Sequence, residues 1–202
     1  MRKHPWVNTE RKFYERNFKK LIEKLDLTSD LNILDYGCGT GGFASLLAEH
    51  NSSLKIKAVD SNPEAIKLGK KYYSHLPNLN FEVLNYIPEG NYDLIFYNLV
   101  LHELNNSGDV KTINNFLQKA YNFLKQGGKI SIFDNRKIPK KDFEKLYIRN
   151  KSPNKKNLME EYLEHNKYTL KDWKDMVEKS GFITEYCEEL APNLFKRVAR
   201  SS

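Results

Sequence analysis

The residues in this chain best suited to chemistry begin with Asp35 and the glycines that follow it. In LNILDYGCGTGG, residues 31–42, Asp35 closes an apolar run, Gly37, Gly39, Gly41 and Gly42 open a turn, and Cys38 sits inside it. Glycine at a strand-to-helix junction adopts positive φ and lets backbone amides approach a ligand without a side chain in the way. The stretch reads as a cofactor cradle. Its spacing satisfies both the GxGxxG of NAD and FAD sites, through Gly37, Gly39 and Gly42, and the tighter GxGxG. Asp60 ends the next apolar run, 21 residues beyond Gly39. A carboxylate there accepts hydrogen bonds from both ribose hydroxyls of an adenosine cofactor, and capping the next helix is its alternative task. His102 follows a fourth apolar run, and imidazole is the side chain that takes a proton most readily near neutral pH. Packing or helix capping is the competing role for His102. Asn106 stands where a zinc-protease motif needs its second histidine, and Cys38 and Cys187 make neither a disulfide framework nor a four-sulfur zinc site. No metal is expected.

Regular elements have to carry these groups. Residues 8–26 place Phe13, Phe18, Leu21, Ile22 and Leu25 at helical spacing, with Asn8 or Thr9 as the cap. A helix ahead of the cradle either lies across it as a lid, presenting Arg11 and Tyr14, or only packs on the sheet. Strands are expected from Leu54 to Val59, over 79–84, over YDLIFYN, and from Ile130 to Phe133. Between the last two, Val110, Ile113, Phe116, Leu117, Ala120 and Leu124 share one helical face, and Gly127–Gly128 read as the helix stop and turn. Strand and helix in alternation make a doubly wound parallel sheet through right-handed crossovers. Thr169 opens a further helix that Gly181 ends, before two closing strands.

DYGCGTG resembles motif I of the class I S-adenosylmethionine (SAM)-dependent methyltransferases: an acid, any residue, then GxGxG. VDSNPEAI resembles their second motif, and YDLIFYN followed by LVLHEL the strand-four segment of the small-molecule enzymes. The paired glycines before strand five and the Gly-Phe ahead of the closing strands are shared as well, so the resemblance runs from about residue 31 to 200. It implies an α/β, Rossmann-like, doubly wound seven-stranded sheet, mostly parallel with an antiparallel C-terminal strand. It implies SAM as cofactor and S-adenosylhomocysteine as product, held by Asp35, Gly37, Cys38, Gly39, Asp60, Ser61, Asn85, Tyr86 and Asn98. Asn85 departs from the family, where an Asp commonly meets the adenine amino group; an Asn carbonyl accepts the same bond. His102 and Tyr14 are the catalytic candidates. Asn98-Leu99-Val100-Leu101 is not the Asn-Pro-Pro-aromatic of enzymes that methylate base amines.

The 202 residues suit one domain: a helical lid over 1–30, a SAM-binding core over 31–134, a basic substrate-side insertion over 135–168, and a helix with closing strands over 169–202. No apolar run reaches the roughly 18 residues of a membrane span, and MRKHPWVNTERKF lacks a signal-peptide core, so a cytoplasmic protein is expected. The net charge of +7 suits an anionic partner or simply reflects Lys abundant along the whole chain; the character changes between Arg136 and Lys156, which include Lys140, Lys141, Lys145, Arg149, Lys151 and Lys155 against only Asp142 and Glu144. That segment suits an anionic small-molecule acceptor; alternatives are an RNA or protein methyltransferase, a SAM-binding protein without catalysis, or a merely solvated helix face. A monomer or homodimer is expected.

Overall fold

The computed structural model describes residues 4–104, 110–149, 160, 162–163, 167–191 and 194–201. Helix α1 spans Pro5–Ile22, three residues earlier than the sequence suggests. Pro5 has no amide hydrogen to satisfy and its fixed φ suits the first turn, while the His4 ring accepts from the Trp6 amide; the cap is therefore His4 and not Asn8 or Thr9. Strand β1, Asn32–Tyr36, leads through the glycine turn into α2, Gly42–His50. Next come β2, Lys55–Asp60, and α3, Pro63–Tyr72, then β3, Leu79–Val83, and β4, Tyr92–Asn98. Helix α4, Val110–Phe123, precedes β5, Leu124–Asn135, and α5 is Lys140–Arg149. Helix α6, Leu170–Lys179, and the strands β6, Ile183–Ala191, and β7, Leu194–Arg200, complete the chain.

The seven strands lie in the order β3-β2-β1-β4-β5-β7-β6. Pairing is parallel from β3 to β5, and β7 runs antiparallel to both β5 and β6, so β7 alone is reversed. The order turns back beside β1, and in open α/β sheets a ligand crevice forms at such a switch, outside the carboxyl ends of the strands. Each sheet face is covered. On one, Leu34, Tyr36, Ile95 and Tyr97 pack with Ile113, Leu117, Trp173 and Val177 of α4 and α6. On the other, Ile33, Phe96 and Phe133 pack with Tyr14, Leu21, Phe43 and Leu47 of α1 and α2. These runs are apolar on both faces because a parallel sheet is buried on both.

Gly127 and Gly128 correct another expectation. They lie within β5, which starts at Leu124 with no intervening turn; Gly127 takes φ 73°, and the β4–β5 register shifts between Tyr92 and Leu94. The glycines absorb an irregularity in the ladder. The capping of α6 is as expected, with Thr169 and Asp172 forming a reciprocal capping box. Among the described residues no helix is long and apolar enough to cross a membrane.

Candidate active site

The glycine turn leaves β1 at the carboxyl edge of the sheet, and Gly37 and Gly39 are among its residues that require glycine. Gly37 has φ 73°, and a Cβ there would lie 2.3 Å from a Val100 methyl group. Gly39 has φ 56°, and its Cβ would lie 2.8 Å from the Glu10 carboxylate. The turn is held open from β2: the Gly37 and Cys38 amides donate to the Val59 carbonyl, and the Gly39 amide donates to Asp60 at 2.8 Å. The other Asp60 oxygen accepts from the Asn62 amide at 2.8 Å. Asn62, not Asp60, caps α3, so Asp60 is left to the cradle.

Beside it opens a cleft of about 200 Å³, walled by Tyr36, Gly37, Asp60, Ser61, Asn85 and Glu103, with Leu84, Val100 and Leu104 as its apolar sides. Four of the expected cofactor residues, Gly37, Asp60, Ser61 and Asn85, thus meet in one place. Tyr86 is 51% exposed and is not part of that wall.

Three expected cofactor residues outside the cleft wall, Asp35, Cys38 and Asn98, are buried. Asp35 is 1% exposed and Asn98 5% exposed; the Asn98 amide lies close enough to Asp35 to lower its pKa, but neither side chain makes a hydrogen bond of regular geometry. Burial, then the negative charges of Glu10 and Asp60, push the Asp35 carboxyl up to about 8, and the nearby Asn98 amide draws it back only in part. Cys38 is buried, and burial followed by the charges of Asp35 and Asp60 raises its thiol well above the usual range, so it remains protonated. Unpartnered buried polar groups carry a desolvation cost of about 1–3 kcal/mol each unless something pairs with them.

Helix α1 touches the cradle through a contact that the sequence reading missed. Glu10 accepts from the Thr40 amide at 3.0 Å, the Thr40 hydroxyl at 2.9 Å and the Gly42 amide at 2.9 Å, at the positive N-terminus of α2. Burial raises its pKa, and the Thr40 and Gly42 hydrogen bonds partly offset that. The sequence signal was a polar residue one turn before Tyr14 on the same helical face. Tyr14 is buried against Phe13 and Phe43. Burial and then the charge of Asp35 hold its hydroxyl well above the ordinary phenol range, so Tyr14 is a neutral donor and not a base. Arg11, expected to face a ligand, reaches away from the cradle to Glu49, at 2.7 and 3.0 Å, to Ser45 and to Glu15. It docks α1 on α2.

His102 lies at the end of β4, beyond a sharp change of direction. Leu99 takes φ 55°, a left-handed conformation that costs a non-glycine residue about 1–2 kcal/mol, and its amide donates to Phe133 of β5. The turn carries the chain over the end of β5, where Asp134 is fully buried. One Asp134 oxygen accepts from the Leu101 and His102 amides at 3.0 and 3.3 Å; the other is 2.5 Å from His102 Nδ1 and accepts from the Asn135 amide. Burial alone pushes the His102 pKa down, but the charge and hydrogen bond of Asp134, with Glu103, outweigh it and the result is a rise. Asp134 is the second functional group the sequence reading passed over. Its signal was an acid ending a strand, the same sign that marked Asp35 and Asp60.

The basic segment adds little that the structure supports. Arg136 pairs with Glu189 at 2.8 Å and Lys145 with Asp142 at 3.3 Å, while Lys151, Lys155 and Lys156 lie outside the described residues.

Comparison with known proteins gives the site a context. Residues 15–169 match the family model described as "Methyltransferase small domain". A malonyl-[acyl-carrier protein] O-methyltransferase of Ilyobacter polytropus is 35% identical over 126 residues, which are 58% of this chain and 45% of the relative. The chain therefore spans less than half the length of that relative. Among solved structures, a SAM-dependent methyltransferase from Aquifex aeolicus matches with a TM-score of 0.70 at 19% identity, over 97% of this chain and 98% of the other. Human N-acetylserotonin methyltransferase, solved in complex with SAM, matches with a TM-score of 0.71 at 18% identity, over 98% of this chain and 55% of the other. At these identities the structural matches speak for the fold.

Proposed function

This chain belongs to the methyltransferase small domain family, and from that premise we propose that it transfers a methyl group from SAM to an O, N or C atom of a small-molecule acceptor. The observation that carries the reading is the buried pair Asp35 and Asn98, left without a hydrogen bond of regular geometry; Asp35 stands two residues ahead of Gly37, which walls the cleft with Asp60. A ligand bearing an ammonium group and a sulfonium charge would supply what Asp35 lacks, and its ribose hydroxyls what Asp60 accepts. Ser61 and Asn85 are then at the adenosine end, with Tyr86 following at the rim, and Gly37, Cys38, Gly39 and Asn98 at the amino-acid end. When bound, SAM supplies an electrophilic methyl group on a good leaving group, so the protein's main task is to place the acceptor's lone pair in line. His102 takes the acceptor's proton where there is one to take, and Tyr14 donates a hydrogen bond beneath α1.

Isothermal titration with SAM and with S-adenosylhomocysteine tests this. Saturable binding of both is expected, and binding of neither ends the proposal. A panel of small acceptors then separates an enzyme from a binding protein. His102→Ala is expected to lose turnover with nearly unchanged SAM affinity; full turnover would make His102 structural.

A further inference from the structure

We propose that Glu10 is a specificity-determining residue: it fills the anion position of the glycine turn with the protein's own carboxylate, so that the cradle admits a cationic cofactor and refuses dinucleotides and other phosphate-bearing ligands. The preference for a cation rests on the methyltransferase reading; the refusal of phosphate does not.

The spacing of Gly37, Gly39 and Gly42 suits a dinucleotide site as well as any other. In such sites the second glycine lets the backbone come close to a pyrophosphate, which rests on the amides at the N-terminus of the following helix. Here Glu10 takes both places. A Cβ on Gly39 would lie 2.8 Å from Glu10 Oε2, and one on Gly42 would lie 3.0 Å from Glu10 Oε1. Oε1 accepts from the Gly42 amide, and Oε2 from the Thr40 amide and hydroxyl, at 2.9–3.0 Å. All three partners are donors, so Glu10 accepts as a carboxylate, against the first turn of the nine-residue α2.

A phosphate would have to displace that carboxylate, and it would then meet more negative charge. The charges of Glu10 and Asp60 bear on Asp35, and those of Asp35, Asp60 and Glu10 on Cys38 inside the turn. Carboxyl groups from α1, β1 and β2 thus converge on one short stretch of backbone. Arg11, the next residue along α1, is engaged by Glu15, Ser45 and Glu49 instead. A sulfonium cofactor gains from such a field and a pyrophosphate loses by it.

The test titrates inorganic pyrophosphate, and then NAD, into the full chain at pH 8 and follows the assigned Thr40 and Gly42 amides in ¹H–¹⁵N spectra. In the wild type neither ligand is expected to move them. In Glu10→Ala both amides are expected to shift saturably with pyrophosphate, at an affinity at least about tenfold above that of the wild type. Shifts of both amides in the wild type, or none in a folded Glu10→Ala, overturn the proposal. If Glu10→Ala does not fold, Glu10→Gln, which keeps the length of the side chain without its charge, decides by the same two amides. Isothermal titration of Glu10→Gln with SAM and with S-adenosylhomocysteine reads the other half. The preference for SAM over its uncharged-sulfur product is expected to fall roughly threefold, and an unchanged ratio overturns the preference for a cation. A wild type that binds neither ends the methyltransferase reading, while the pyrophosphate titrations still decide the refusal of phosphate.

Discussion

Asp35 is a carboxyl group maintained at a cost. Its ordinary value is 3.8 and the folded protein raises it to about 8, with burial the largest cause. Between those two values the native state keeps a proton that the unfolded chain has released, so Asp35 makes the protein less stable as pH rises from about 4 to 8. A cation bound beside it reverses the preference and expels that proton. SAM affinity is therefore expected to climb between pH 6 and 7.5 in calorimetric titrations. In Asp35→Asn the climb should vanish and affinity fall, while the ligand-free variant melts at a higher temperature than the wild type at pH 8. A pH-independent wild-type affinity would remove Asp35 from the site. Asp35 was legible in the sequence because it sits next to its glycines. Glu10 and Asp134 were not, because each acts on residues 30 or more positions away and only the folded sheet brings them together.

The elements show why the strands were easier to read than their ends. Apolar runs of the right length and turn residues between them locate β1 to β4 almost to the residue, since burial on both faces demands such runs. Boundaries set by local detail were missed: the start of α1, set by Pro5 and the His4 ring, and the passage from α4 straight into β5, where Gly127 is accommodated inside the strand with φ 73°. The turn between β1 and α2 tolerates least. Gly37→Ala imposes a left-handed alanine and drives a methyl group into Val100, so about 1–3 kcal/mol of stability and measurable SAM binding are expected to go together, read by denaturant melts and titration. Arg11→Ala acts on α1 instead. It removes the bidentate pair with Glu49, whose side chain is 40% exposed, so a loss of only about 1 kcal/mol is expected, with faster amide exchange confined to α1.

At the scale of the molecule, the cradle joins parts that are far apart in sequence: α1, the β1 turn, the end of β2 and the segment after β4. A ligand seated among them should stabilise the whole. With SAM at a hundred times its Kd, the gain is about 2.7 kcal/mol, or a rise in Tm of roughly 5–10 °C for a chain of this size. A fluorescence melt with and without SAM checks it, and no shift at a concentration shown to saturate would mean that the ligand binds the unfolded chain as well.

The reversed strand β7 carries a consequence for how this protein is made. It is synthesised after the six other strands, yet it lies between β5 and β6, bonded to both. While the ribosome is still adding residues 194–200, β5 has an open edge and β6 has no strand beside it. At about 5–20 residues per second, the nascent chain leaves the β5 edge unpaired until residues 194–200 emerge and close the sheet from the inside.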